Sequence, residues 1–263
     1  MKVSYSKVSK YTTCPYQYKL FYIDKLKPAF DEKATNALHL GTCVHDALET
    51  RNIEHATKMY KEKYSIWDEN NEIELLKLNT ILPKVLTQIP EGEYEYKLDV
   101  EDDFIGYIDM LVKIEDGVYD LYDFKYATDA KRYESSPQVH LYKYYYEKIT
   151  GNKIRNIYYA VIPKCKDTLD KMPKEKLINK IKTSYAAKDV QFIKVDYQPE
   201  KIIQFQAQKA ALEKATSFEK VYTSKCEWCQ LKKYCLSNGK DKSELEVEKP
   251  DTGELKFEEI SLF

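Results

Sequence analysis

Gly106-Tyr107-Ile108-Asp109 and Asp123-Phe124-Lys125 stand on either side of a Glu115-Asp116-Gly117 turn, and the fold is decided by how this stretch is read. Each arm is an apolar, strand-like run with an acid inside it. A buried acid is costly unless something pairs with it. Residues i and i+2 of a strand face the same side, so Asp123 and Lys125 share a face. The turn suits a three-residue hairpin loop with Gly117 supplying a positive φ. That loop puts residue 114 opposite 118, and therefore Asp109 opposite Asp123. Like charges facing each other across a ladder destabilise a sheet. A two-residue loop would shift the register by one and send the acids to opposite faces. Either the register holds and a divalent cation neutralises the pair, or the two acids are unrelated; the cation is the expectation.

Outward from the hairpin, strands are expected near 93–100, 104–114, 118–125, 155–162 and 191–195. In the fourth, Ile157, Tyr159 and Val161 alternate with Asn156, Tyr158 and Ala160. Helices are expected over 4–11, 15–21, 33–64 (interrupted or tightly packed at Gly41), 71–88 (with a kink at Pro83), 137–149, 174–184 and 200–218. Helices, a three-stranded meander, a helix, a strand and a helix make a mixed α/β chain with one central sheet. There is no internal repeat. The expected division is a domain over 1–237 and a flexible, charged tail over 238–263 with a Pro-Asp-Thr-Gly turn.

With 263 residues the chain has ample length for a core, as one large domain or two small ones. No apolar run approaches the ~20 residues of a membrane span, and the start lacks the apolar stretch of a signal peptide. The expectation is a cytoplasmic protein with no membrane partner. Lysine and arginine number 42 against 43 acids, so net charge points to no polyanionic partner and any DNA contact needs a local basic patch. Arg51, Arg132 and Arg155 are the only arginines. Lysine lacks the bidentate fork that reads guanine edges, so DNA binding would be largely sequence-independent. Some of the 24 tyrosines could stack on bases, although most fit core and surface positions.

Cys226-x2-Cys229-x5-Cys235 is the strongest cysteine signal. Clustered thiols in a cytosolic chain suggest metal more than disulfides. Three thiolates need a fourth ligand, and Cys14, before Pro15, is the choice. An iron–sulfur cluster of the [4Fe-4S] type is expected; a zinc site on the same ligands or unconnected buried thiols are the alternatives. Cys43 and Cys165 read as ordinary packed thiols.

Taken together, these pieces resemble the PD-(D/E)XK nuclease superfamily. The resemblance is to the RecB/AddB-like branch and the CRISPR-associated adaptation nucleases that carry an iron–sulfur cluster. Ser4-Tyr5-Ser6 with Cys14-Pro15 looks like the opening S-x-S…C-P segment, and Gly41-Thr42-Cys43-Val44-His45 like the G-x-x-x-H helix. Gly106 to Asp109 resembles G-x-x-D, Asp123 to Lys125 resembles D-x-K, and Gln138 with Tyr142 resembles Q-x-x-x-Y. Ile108, rather than proline, precedes Asp109. The resemblance implies a restriction-endonuclease-like core, a central mixed sheet flanked by helices, with the N- and C-terminal segments joined by the four-cysteine metal cluster. It implies that His45, Asp109, Asp123 and the Phe124 carbonyl hold Mg2+ or Mn2+. Lys125 would orient or help deprotonate the attacking water, and Gln138 and Tyr142, on one helical face, would position the nucleic acid or the lysine. His39, His55 and His140 read as structural. Glu95 is either a further metal-linked carboxylate or part of a solvated strand face.

The implied activity is metal-dependent hydrolysis of DNA, exonucleolytic and 5′-to-3′ on single strands, in recombination, repair or replication, for a phage or other mobile element. The alternative is a catalytically idle DNA-binding or adaptor module stabilised by its metal cluster. Glu259-Ile260-Ser261-Leu262-Phe263 looks like the peptide by which replication proteins hold a sliding clamp. An apolar cluster on a tail suits insertion into a groove.

Overall fold

The computed structural model describes residues 1–129, 133 and 135–246. In chain order the helices are α1 (Tyr5–Thr13), α2 (Pro15–Tyr18), α3 (Ala37–Thr50), α4 (Ile53–Glu62), α5 (Glu69–Gln88), α6 (Gln138–Thr150), α7 (Lys174–Lys180), α8 (Glu200–Glu213) and α9 (Lys232–Leu236). The strands are β1 (Glu93–Val100), β2 (Phe104–Glu115), β3 (Val118–Ala127), β4 (Lys153–Pro163) and β5 (Gln191–Val195). The chain divides into two units: Lys2 with Glu32–Ile203, and Met1 with Val3–Asp31 and the chain from Gln204 onward.

The larger unit is built on a five-stranded sheet in the order β1-β2-β3-β4-β5. β1, β2 and β3 form an antiparallel meander. β3 and β4 run parallel, joined through α6, the long crossover that a parallel pair requires. β5 returns antiparallel to β4. Helices flank the sheet: α6 packs on β1 to β4, and α3 lies against β3, α4 and α5. Gly106 is what lets α6 approach. A Cβ there would stand 2.9 Å from both the Phe104 and Tyr142 rings, and Phe104 is itself stacked on Tyr145 at 4.2 Å.

The hairpin differs from expectation in its loop. Glu115 pairs with Val118, leaving Asp116 and Gly117 (φ +73°) as a two-residue connection, and the register then shifts between Lys113 and Glu115. That bulge restores the missing residue. From Lys113↔Tyr119 to Met110↔Tyr122 the ladder runs in the register that the longer loop would have given. The next pair in that register is Asp109 with Asp123.

The long helix expected over 33–64 breaks at Arg51 and not at Gly41. Arg51 takes the left-handed conformation (φ 51°), and Asn52 caps α4 by accepting from the His55 N–H. Gly41 lies inside α3. Pro83 lies inside α5 without ending it, because Ile81, Leu82 and Val85 around it are held in the core. α8 ends at Glu213, short of 218. Phe218 leaves the helix to stack on Tyr18 (6.0 Å, 19°) and meet Tyr11 edge-on.

The smaller unit therefore combines early and late sequence. Ser4 caps α1, its Oγ accepting from the Lys7 N–H. Tyr16 donates its N–H to Glu219, Ala29 to Glu244, and Glu246 to Lys27. Residues 244–246, within the expected tail, thus run against 27–29. The remainder of that tail, with Glu259 to Phe263, lies outside the described residues. Among the described residues no helix is long and apolar enough to cross a membrane.

Candidate active site

The site forms where the meander opens. The β2–β3 ladder stops at Met110↔Tyr122. One residue further on, the Asp109 carboxylate accepts the Phe124 N–H (Oδ2, 2.5 Å) in place of a backbone carbonyl. α3 brings His45 to the same point. Its Nδ1 lies 3.8 Å from Asp109 Oδ1 and its Nε2 lies 3.1 Å from the Phe124 carbonyl oxygen. That last separation suits a hydrogen bond; an imidazole nitrogen and a carbonyl oxygen are also donor types that a divalent cation would take.

Glu95 arrives from β1. The register on either side, Tyr94↔Met110 and Tyr96↔Ile108, puts it opposite Asp109. Its φ is 50°, a left-handed conformation that costs a non-glycine residue about 1–3 kcal/mol and is concentrated at functional sites. Ligand atoms of His45, Glu95 and Asp109 all lie within 4.8 Å of one another, the only such trio among the described residues. Sequence reasoning left Glu95 between a ligand and a solvated face. Strand alternation is the same in either case, and no sequence signal marks the left-handed residue. Glu49, one helical turn beyond His45, adds its charge to the group and was not singled out from the sequence.

Asp123 is fully buried. Its Oδ2 lies 2.5 Å from the Lys125 ammonium, off the line of a hydrogen bond, and Oδ1 has no partner among the described residues. Lys125 also donates to Gln138 Oε1 (3.3 Å), and Gln138 Nε2 donates to the Tyr142 hydroxyl (2.9 Å). The residues read from the sequence, His45, Asp109, Asp123, Phe124, Lys125, Gln138 and Tyr142, thus form one connected set. The other histidines stand apart from it. His39 stacks on Tyr60, His55 pairs with Asp46, and His140 is buried and accepts the Gln198 N–H.

Electrostatics favour a cation here. Burial pushes Asp109 and Asp123 up to about 6, with Lys125 opposing the rise in both. Burial, then Asp109, Glu49 and Asp123, push Glu95 up to about 7. Burial and Lys125 pull His45 down to about 4, so its imidazole is neutral and able to ligate near pH 7. Burial works against the Lys125 ammonium, but Asp123 and Asp109 outweigh it and raise its pKa. A crowd of acids with one orphaned carboxylate oxygen and a neutral imidazole fits a hard divalent ion.

The four cysteines singled out by spacing come together in the smaller unit. Cys14, Cys226, Cys229 and Cys235 line one cavity of about 50 Å³, and Gln17 Nε2 lies 3.4 Å from Cys229 Sγ. Burial raises the Cys229 and Cys235 thiols, and both sense the other sulfurs of the group. Cys43 is fully buried, pushed up to about 12 chiefly by burial, and Cys165 is buried as well.

One substitution probes how the sheet supports the site. Gly106→Ala would drive a Cβ into Tyr142 and Phe104. Overpacking of this kind costs about 1–3 kcal/mol, and displacing Tyr142 loosens Gln138 and then Lys125. We expect a lower melting temperature and at least a tenfold loss of turnover, read by thermal denaturation and whichever cleavage assay reports wild-type activity; unchanged turnover would mean that the Tyr142–Gln138 link does not position the lysine.

Among solved structures, one from Eubacterium rectale, described provisionally as an exonuclease, is similar to this chain with a TM-score of 0.59 at 12% identity. The match covers 95% of this chain and 90% of that one. No curated protein matches the sequence. The family model of the PD-(D/E)XK nuclease superfamily matches residues 2–236, so the chain belongs to the PD-(D/E)XK nuclease superfamily.

Proposed function

We propose that this nuclease is a Mg2+- or Mn2+-dependent exonuclease that hydrolyses phosphodiester bonds of DNA, largely without regard to sequence. The observation that carries the reading is the meeting of His45, Glu95 and Asp109 beside the orphaned Asp123 carboxylate and the Lys125 ammonium. His45, Asp109, Asp123 and the Phe124 carbonyl, with Glu95 added, would hold the cation. When bound, it supplies Lewis acidity and lowers the pKa of water. Lys125, its cation sustained by Asp123 and Asp109, orients the attacking water and steadies negative charge on the phosphorane-like transition state. Gln138 and Tyr142 fix the direction of Lys125. The 5′-to-3′ sense on single strands, and a place in recombination, repair or replication for a mobile element, come from the resemblance to the RecB/AddB-like branch. The Glu259 to Phe263 peptide would tether the enzyme to a sliding clamp.

In the smaller unit the proposed cofactor is a [4Fe-4S] cluster on Cys14, Cys226, Cys229 and Cys235. A single zinc ion on the same four thiolates is the alternative, and iron and zinc analysis separates the two.

Strand-labelled, end-blocked oligonucleotides incubated with Mn2+, Mg2+ or EDTA test the activity and its direction together. Cation-dependent loss of single nucleotides from one free end is expected; no cleavage under any cation would overturn the proposal. Cation binding has a separate signature. Acids whose pKa is raised by folding bind protons more tightly folded than unfolded, so the ion-free protein loses stability as pH rises from about 4 through about 7. Mn2+ would offset the cost of these buried charges, so its thermal stabilisation should be several-fold larger at about pH 8 than at about pH 5. Equal shifts at both values would argue against these ligands.

A further inference from the structure

The segment that carries three of the thiols also exposes its aromatic side chains. Trp228, between Cys226 and Cys229, is 88% exposed, and its indole N–H has no partner among the described residues. Tyr222 is 67% exposed and forms part of the wall of the thiol-lined cavity. The backbone beneath Trp228 is held in a tight turn over Ser224–Trp228, capped by Thr223, whose Oγ1 accepts the Lys225 N–H. A large indole carried on such a turn and left in water suits a partner with a flat, stackable surface.

Local charge narrows the choice. Between Lys220 and Lys233 there are four lysines against one acid, Glu227, and Glu227 is engaged by Lys232 at 2.7 Å. Lys225 and Lys233 are exposed. The whole chain is nearly neutral, whereas this segment holds an excess of lysine beside its aromatic rings, with Glu219 just before it and Glu244, which accepts the Lys233 N–H, beyond it. Lysine beside exposed aromatic faces is the composition that tracks a single-stranded backbone while stacking its bases. A duplex hides those faces, and a second copy of this chain would bring like charge against like.

We propose that Trp228 and Tyr222, with Lys225 and Lys233, form a stacking platform for a single strand of DNA, independent of its sequence. The choice of DNA as the polyanion rests on the nuclease reading above; the platform itself is a separate feature of the smaller unit.

The test uses the whole 263-residue protein as purified, without added divalent cation, so that binding is read without cleavage. Fluorescence anisotropy with a labelled single-stranded oligonucleotide should show Trp228→Ala weakening binding about tenfold or more. Trp228→Phe should keep most of the affinity, and metal content and melting temperature should be unchanged in both. In a Trp67→Phe background Trp228 is the only indole, and its emission should be quenched by the single strand and hardly by duplex. Equal affinity of Trp228→Ala and wild type would overturn the proposal. So would quenching by duplex equal to that by the single strand, or a dimer in sedimentation that Trp228→Ala dissociates while DNA binding persists. If the nuclease reading fails, the wild type cuts nothing with Mn2+ or Mg2+, whereas this binding result is obtained independently of cleavage.

Discussion

Asp109→Asn and Lys125→Ala should each leave less than about one hundredth of wild-type cleavage while the fold survives. The asparagine keeps the shape and an oxygen to accept the Phe124 N–H; what it removes is the charge that faces His45 and Glu95. Lys125→Ala removes the cation beside Asp123. Loss of one group that stabilises developing charge typically costs about 10²–10³ in rate, and loss of a metal ligand adds to that. Stability should move the other way for the asparagine variant. Burial already pushes Asp109 up to about 6, so the neutral amide relieves the ion-free protein near neutral pH. Its melting temperature without cation should match or exceed wild type, and its stabilisation by Mn2+ should largely disappear. Cleavage persisting in both variants would refute the assignment of the site. A folded, inactive Asp109→Asn that still gains the full thermal shift from Mn2+ would place the cation elsewhere.

The second large effect concerns the thiols. Cys229→Ser should abolish iron or zinc content, together with any brown visible absorbance of anaerobically purified protein, and should destabilise the smaller unit. Structural metal sites contribute on the order of 10 kcal/mol, comparable with the whole stability of a domain. Limited proteolysis should then cut within residues 3–31 and 204–246 while the five-stranded sheet between Glu93 and Val195 stays protected. Cys43→Ala is the matched control. Cys43 is a core thiol on α3, so its loss should leave metal content intact. Unchanged metal content in Cys229→Ser, or equal loss in Cys43→Ala, would remove the case for a four-thiol cluster. Metal analysis also decides between iron and zinc.

The parts of this molecule that were readable from sequence are those in which chemistry repeats along the chain. Alternation set the strands, and the five expected strands lie within the observed ones or match them to within one or two residues. The register that points Asp109 toward Asp123 followed from the turn, although the molecule reaches it by a shorter loop and a bulge and its ladder stops one pair short of the two acids. The break at Arg51 was not readable, because a left-handed arginine carries no marker, whereas Gly41 looked like one and proved to be an ordinary helical position. Glu95 was undecided for a related reason. A carboxylate on an alternating strand looks the same whether solvent or a cation awaits it. The end of α8 was set by Phe218 joining Tyr11 and Tyr18, a contact across about two hundred positions that no local pattern encodes.

The composition of the smaller unit sets an order of events at the ribosome. Residues 3–31 are made before the sheet yet have no complement until 204–246 follow, because the Tyr16 N–H is accepted by Glu219 and the cavity that Cys14 lines is completed by Cys226, Cys229 and Cys235. The strands, by contrast, are all made by Val195. Domains form as they leave the ribosome, earliest first; here the segment made before the sheet is the exception, a strip of chain left unsatisfied until the sheet is complete.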